Sequence, residues 1–402
     1  MIFDPLVDYY SINNFLIYFF SEIPNLIFCC LVVLFFLFLK LLTAREMAFW
    51  VFLFFLAFLI NIFLQFLPSL FPDIGGYLRC IKDLKDNLFF DELSCQTTIG
   101  SASDDSLSFV SLKKGLPAII YSLIPMPSIA TFSSVGMINK LFLLFSYIYL
   151  RTKIHSKENL ILLALIFLLP SMLLYSSIGL RDNLVFVIQI FLLYFVLSNK
   201  FLLSSIFLFA LFAIKTQNGI VFSFLYFGVF IFRANQGFKN LVIFSFVSLS
   251  IVYLLSDQVL ATLNFFKIAF LVETQEVSLV RTFIPFESIT SVLIYSPLEF
   301  FQGVLRPFPN SIRSYVFFIE SLIQIGLILF LMISNKKKIL ASPEFYLVFI
   351  SYAIGIVLNS LIIENEFTYA RYKYTFIYTF IIYLISINKS KSLIFANGRN
   401  ER

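Results

Sequence analysis

No Cys-x-x-Cys pair and no cluster of cysteine with histidine occurs in this chain, and no paired aspartates in it resemble a divalent-metal diphosphate site. Neither a zinc site nor a metal-assisted reaction is therefore expected, and no cofactor is implied. Charge is scarce too: Asp, Glu, Lys and Arg make up 13% of the residues, against 60% hydrophobic ones. The net +6 suits attraction to anionic lipid on one membrane face and points to no nucleic acid. The opening "MIFDPLVDYYSINN" lacks a basic segment and a small-residue cleavage site, so no removable signal peptide is expected.

What the chain has instead is apolar aromatic bulk, with 55 Phe and 20 Tyr among 402 residues. No soluble fold needs that much apolar surface. Runs such as "PNLIFCCLVVLFFLFLKLLT" and "SYVFFIESLIQIGLILFLMIS" reach the roughly 20 residues with which a helix crosses about 30 Å of hydrocarbon. Backbone amides in lipid must bond internally, so the expected fold is all-α, a polytopic integral membrane helical bundle. About eleven transmembrane helices are expected, near 24–43, 47–67, 130–150, 159–177, 182–198, 201–214, 218–232, 240–256, 314–334, 343–363 and 374–388.

Lys and Arg in the short connections set the orientation. "KLLTARE", "RTKIHSKEN", the "NK" at 199–200, "FRANQGFKN", "NKKK" and the tail all fall on one side if the N-terminus is outside. The N-terminus is therefore expected to be periplasmic and the C-terminus cytoplasmic, with outer loops at about 68–129 and 257–313. Cys29 and Cys30 lie within the first span and read as inert core thiols. Cys80 and Cys95 share the first outer loop. They either bridge, closing a ring of about 15 residues worth roughly 3 kcal/mol, or share that loop by chance.

The informative residues are cations on the outer side, close to span ends: Arg181, Lys215, Arg281, Arg306, Arg313, Arg371 and Lys373. The span before "KTQNG" is short, so that turn is expected below the outer surface, where irregular backbone must line protein or a wet cavity. Lys215 and Gln217 are thus candidate cavity residues, or Lys215 snorkels to the headgroups. Lys140 lies deep in its span and needs a partner, either in a structural ion pair or in a functional role. Glu320 is the matching intramembrane acid, able to pair with Lys140 or Arg313. Guanidinium forks bind phosphate oxygens bidentately, so several arginines around one outer cavity suit a membrane-embedded diphosphate. Asp182, beside Arg181, also fits as a helix-start residue.

"LLYSSIGLRDNLV" in mid-chain, "LRPFPN…RSYVFFIESL" closing the second outer loop and "ENEFTYARYKY" before the last span together resemble the O-antigen polymerases of the Wzy type. The resemblance covers most of the chain as architecture. It implies an enzyme of the bacterial inner membrane that uses undecaprenyl-diphosphate-linked oligosaccharide, with a chain-length regulator protein as a further partner. The glycan passes from one carrier to the terminal sugar of another, and the diphosphate carrier leaves. The seven cations would hold that diphosphate, and Glu366, Glu320 and Glu299, in that order, are the candidates to take the hydroxyl proton.

O-antigen ligases share this architecture but place a histidine in the large outer loop, whereas the only histidine here is His155, in a cytoplasmic connection. Two alternatives come from other classes. A multi-span polyprenyl-phosphate-dependent glycosyltransferase wants paired acids in its first outer loop, where "DDSL" at 104–107 is a weak match. A lipid-linked oligosaccharide flippase or transporter would show internal repeats and charges along its span interiors.

Overall fold

The computed structural model describes residues 12–64, 81, 116–127, 132–154, 156–235, 238–273, 284–309, 312–340 and 342–387. Arg281, Cys80, Cys95 and His155 lie outside the described residues, as does the side chain of Arg313. Among the described residues every regular element is a helix. In chain order they are α1 (Ile12–Phe38), α2 (Ala44–Leu64), α3 (Phe132–Arg151), α4 (Lys157–Ile166), α5 (Pro170–Ser177), α6 (Arg181–Leu197), α7 (Phe201–Ile214), α8 (Thr216–Asn235), α9 (Phe238–Leu254) and α10 (Ser256–Glu273). There follow α11 (Ile289–Leu305), α12 (Ile312–Ser334), α13 (Lys336–Leu340), α14 (Pro343–Ile362) and α15 (Glu366–Ile387).

Among the described residues five stretches are long and apolar enough to cross a membrane: Phe19–Phe38, Ala44–Phe63, Ser133–Arg151, Ser314–Ser334 and Pro343–Ile362. Two broken pairs, Lys157–Ile166 with Pro170–Ser177 and Val242–Leu254 with Ser256–Ala269, raise the number to as many as 7. Together with apolar side chains exposed along α1, α9 and α12, such as Leu31, Phe246 and Phe330, this makes the chain a helical membrane protein. The other expected spans exist as helices that are shorter or more polar. α6 has 17 residues and α7 has 14, while α15 carries Glu366, Arg371 and Lys373 within its apolar run. In the second outer segment, expected as a loop with a partly inserted helix in "SPLEFFQGVLRPFPN", the described residues form two helices: α10 turns away from α9 by 76°, and α11 follows.

Helix ends show why the breaks fall where they do. Thr43 and Glu46 close α2 reciprocally: Thr43 N donates to Glu46 Oε2 (2.7 Å) and Glu46 N to Thr43 Oγ1 (3.3 Å), a capping box. α1 and α6 end on left-handed residues, Lys40 (φ 58) and Asn199 (φ 61). There the next amide bonds five residues back, Leu41 N to Phe36 O and Lys200 N to Phe195 O, each 2.9 Å, a Schellman stop. Pro170 opens α5 because its missing N–H is no loss in a first helical turn, yet it ends the helix before it.

The chain divides into two compact units. The first comprises Met1–Lys153, Met172–Ile188 and Ala210–Thr216, and the second Ile154–Ser171, Gln189–Phe209 and Gln217–Arg402. In the first, α1, α2 and α3 pack together, with Trp50, Phe54 and Tyr147 fully or almost fully buried. At one end of that bundle Glu46 receives Arg151 Nε (2.9 Å) and Tyr147 OH (2.6 Å). In the second unit α15 is the central helix, buried nearly throughout from Tyr369 to Ile385. Gly355 on α14 lets the Phe376 ring lie directly against the backbone, the small-residue approach common between membrane helices. Tyr352 and Phe380 stack at 4.6 Å, and Asn159 on α4 donates to Ile385 O (2.9 Å).

Candidate functional site

Polar groups concentrate in one cluster within each unit. In the first, the segment Ser176–Asn183 runs buried between α5 and α6, and its irregular carbonyls need donors that lipid cannot supply. Asparagines supply them. Asn139 Nδ2 donates to Ile178 O (2.6 Å) and Leu180 O (2.8 Å), and Asn61 Nδ2 to Ser177 O. Tyr121 OH donates to Asn139 Oδ1 (3.0 Å), and Asn183 Nδ2 reaches Asn139 O (2.8 Å). Gly136 allows this close approach, since a Cβ there would collide with Ser177 O.

Lys140, fully buried, donates to Ser176 Oγ (2.6 Å). Lys215, at the α7–α8 turn, forms a buried ion pair with Asp182, Nζ to Oδ1 at 2.7 Å. Expected as a diphosphate ligand or a cavity residue, Lys215 is thus held by a carboxylate in this structure. Arg181 is half-buried as the first residue of α6. Gln217 is half-buried in the first turn of α8 and belongs to the second unit.

The second cluster gathers residues from the end of α11, from α12, α14 and the start of α15. Arg306 is the hub, only 8% exposed. Its Nε donates to Glu366 Oε1 (3.1 Å), Nη2 to Glu364 O (2.7 Å) and Nη1 to Ser360 O (3.4 Å). The guanidinium lies 4.5 Å from the centre of the Tyr369 ring, a cation–π contact. Glu366 Oε2 accepts from Phe308 N (3.1 Å). Lys373 Nζ donates to Val304 O (2.5 Å), Arg306 O (2.7 Å) and Ser321 Oγ (2.8 Å). A cation at a helix C-terminus satisfies orphan carbonyls and suits the dipole. Tyr369 OH completes the clamp on Gly303 O (2.8 Å).

The three candidate carboxylates stand differently. Glu366 opens α15, where Asn365 caps the helix by accepting from Phe367 N and Thr368 N, both 3.0 Å, and its side chain is 23% exposed. Glu299, half-buried on α11, accepts from Ser360 Oγ (2.7 Å). Glu320 is 2% exposed. It accepts from Ser171 N (2.9 Å), Ser171 Oγ (2.6 Å), Gln324 Nε2 (3.1 Å) and Tyr378 OH. Glu320 thus closes the start of α5 after the Pro170 break; its expected partner Arg313 has its side chain outside the described residues. Glu320 and Lys373 line one cavity of about 10 Å³ with Ser171, Gln324 and Tyr374, room for about one water. Arg371 is half-buried on α15, 5.3 Å from the Tyr372 ring centre.

Chemically, a guanidinium and a backbone N–H holding the two oxygens of one carboxylate form an oxyanion cradle. Among the described residues no group of three or more His, Cys, Asp or Glu side chains is placed to hold a metal ion. Sequence reasoning missed Asn139, Asn61, Ser171, Tyr369 and Tyr378. Two signals were available for them: an asparagine inside each of two apolar runs, and the proline that interrupts "FLLPSMLL". No family model, no curated protein and no solved structure matches the chain.

Proposed function

We propose that the chain polymerises lipid-linked glycan repeat units on the outer face of a bacterial inner membrane, as the O-antigen polymerases it resembles do. One observation carries the reading. Arg306, Glu366 and Lys373, separated by up to 67 positions, converge at one break between membrane helices, where a diphosphate headgroup and a sugar hydroxyl would both need charge. In this reading the eleven crossings are α1, α2, α3, the broken pair α4–α5, α6, α7, α8, α9, α12, α14 and α15. The N-terminus is then periplasmic and the C-terminus cytoplasmic, and α10, α11 and the Arg306 cluster fall on the periplasmic side.

The acceptor hydroxyl oxygen attacks the anomeric carbon of a glycan on undecaprenyl diphosphate. The bond from that carbon to the diphosphate oxygen breaks, and its electron pair leaves with the diphosphate. Arg306 and Arg371 stabilise the charge that grows there; Arg181 is a further cationic contact for the lipid-linked substrate. Glu366, more accessible than Glu320, takes the hydroxyl proton. Glu320 and Lys373 position the helices that frame the reaction. Aromatic faces near the turns stack on sugar rings. A chain-length regulator protein beside the bundle would set how many cycles occur.

The test is a reconstitution of the purified chain in vesicles holding undecaprenyl-diphosphate-linked repeat units. Glycans of two or more repeats, formed together with free undecaprenyl diphosphate, support the reading. Glycan carried across the bilayer with no new glycosidic bond would replace it with the flippase reading.

A further inference from the structure

We propose that Glu366 is an internal stand-in for the substrate's diphosphate: it fills the oxyanion cradle of Arg306 Nε and Phe308 N–H, and an arriving diphosphate displaces it. The inference rests on the polymerase reading and adds how that site is regulated. The two cradle contacts are equal, 3.1 Å each, one to each carboxylate oxygen, so the carboxylate bridges two donors as a phosphate edge would. The donors are fixed before any ligand arrives. Arg306 is pinned by Glu364 O and Ser360 O, with its guanidinium against the Tyr369 ring. The backbone that carries Phe308 is held by Lys373 Nζ and Ser321 Oγ on Arg306 O.

Of the two partners in the ion pair the Glu366 side chain is the more exposed, 23% against 10% for Arg306. The cradle therefore opens by moving its carboxylate. A diphosphate carries more negative charge and more acceptor oxygens than a carboxylate, so it competes for the same donors.

The consequence is an order of events. With no donor bound, the candidate base is engaged with Arg306 and Phe308. When the lipid diphosphate takes the cradle, Glu366 is released and its carboxylate is free to accept the acceptor hydroxyl proton. The new C–O bond forms, the anomeric carbon–diphosphate bond breaks, and the electron pair departs with the lipid diphosphate. Glu366 then passes its proton to water and returns to the cradle.

The experiment titrates inorganic diphosphate into the full-length chain in detergent, with binding read by calorimetry. Glu366→Gln is expected to bind about tenfold more tightly than wild type or better, as when a competitor that closes a site about nine-tenths of the time is removed. Glu364→Gln removes an equal charge from a neighbour that pairs with Lys267 instead (3.2 Å), and is expected to change affinity by about twofold or less, the size of a screened surface charge. Adding Arg306→Gln to Glu366→Gln is expected to abolish the gain. Glu366→Asp, one methylene too short to bridge both donors, is expected to fall between wild type and Glu366→Gln and stands in for it if that variant misfolds.

Equal tightening by Glu366→Gln and Glu364→Gln, or none by Glu366→Gln, overturns the displacement. A gain that survives Arg306→Gln overturns it as well. If inorganic diphosphate binds none of these proteins, the displacement fails together with the diphosphate site on which it stands. A chain that polymerises glycan yet shows no tightening loses the displacement alone. One that shows the tightening but forms no glycosidic bond loses the polymerase reading alone.

Discussion

Replacing Lys215 by methionine keeps most of its volume and removes its charge, leaving Asp182 in a site where its side chain is 0% exposed. Breaking a buried ion pair by removing one of its members destabilises a protein by about 3–5 kcal/mol. Asp182 stands in the first turn of α6, where free helix amides return about 0.3–1 kcal/mol. The net loss for Lys215→Met is then about 3 kcal/mol. Neutralising both partners, as Asp182→Asn with Lys215→Met, leaves no uncompensated charge and should fall within about 1 kcal/mol of wild type. The coupling in the double-mutant cycle is therefore about 2 kcal/mol or more. The assay is unfolding of the four purified proteins in mixed micelles of fixed composition, paired with the glycan ladder that the polymerase proposal expects of each in cells. An ion pair that only holds the α7–α8 turn against α6 predicts that the double variant recovers both stability and ladder. Wild-type stability in Lys215→Met would refute the reasoning. A stable double variant with no ladder would instead assign Lys215 to the substrate.

Glu320→Gln should retain an acceptor for Ser171 and lose about 1 kcal/mol, whereas Glu320→Leu removes the acceptor shared by Ser171, Gln324 and Tyr378 and should lose about 3 kcal/mol or more; the same unfolding assay separates them. Gly303→Ala would set a Cβ 2.6 Å from the Tyr369 hydroxyl and 2.8 Å from Ile356. Overpacking of that kind lowers stability by about 1–3 kcal/mol, and the shifted Arg306 turn should shorten the ladder. Arg233→Ala removes donors from Val196 O, Leu197 O and Asn199 and should lower unfolding stability by about 1–2 kcal/mol, with no change in ladder length.

The helical membrane class was legible because hydropathy is local: twenty apolar residues in a row need nothing distant to be read. One break was legible for the same reason: the short span before Lys215 announces backbone that must find donors elsewhere. The break at Pro170 fell inside a single expected span at 159–177. Partners were not legible. Arg306 meets a carboxylate at 366, Lys215 one at 182 and Glu320 a hydroxyl at 171. A run of leucine and phenylalanine carries no information on which polar residue faces which. Within 257–313 the Pro-broken stretch "SPLEFFQGVLRPFPN" reads as a partly inserted helix ending in a stiff turn, which α11 matches in part, while its start at Ile289 was not legible. Ser256 and Asp257 start α10 as good helix-opening residues, yet α10 continues an apolar run and merges with α9 when read by composition alone.

The most direct measurement is the glycan ladder from cells lacking this protein, supplied with wild type, Arg306→Gln, Arg371→Ala or Arg181→Ala at matched membrane expression. The account predicts a full ladder with wild type and single-repeat product with each arginine variant. A ladder indifferent to the protein, or one restored equally by all three variants, would contradict it.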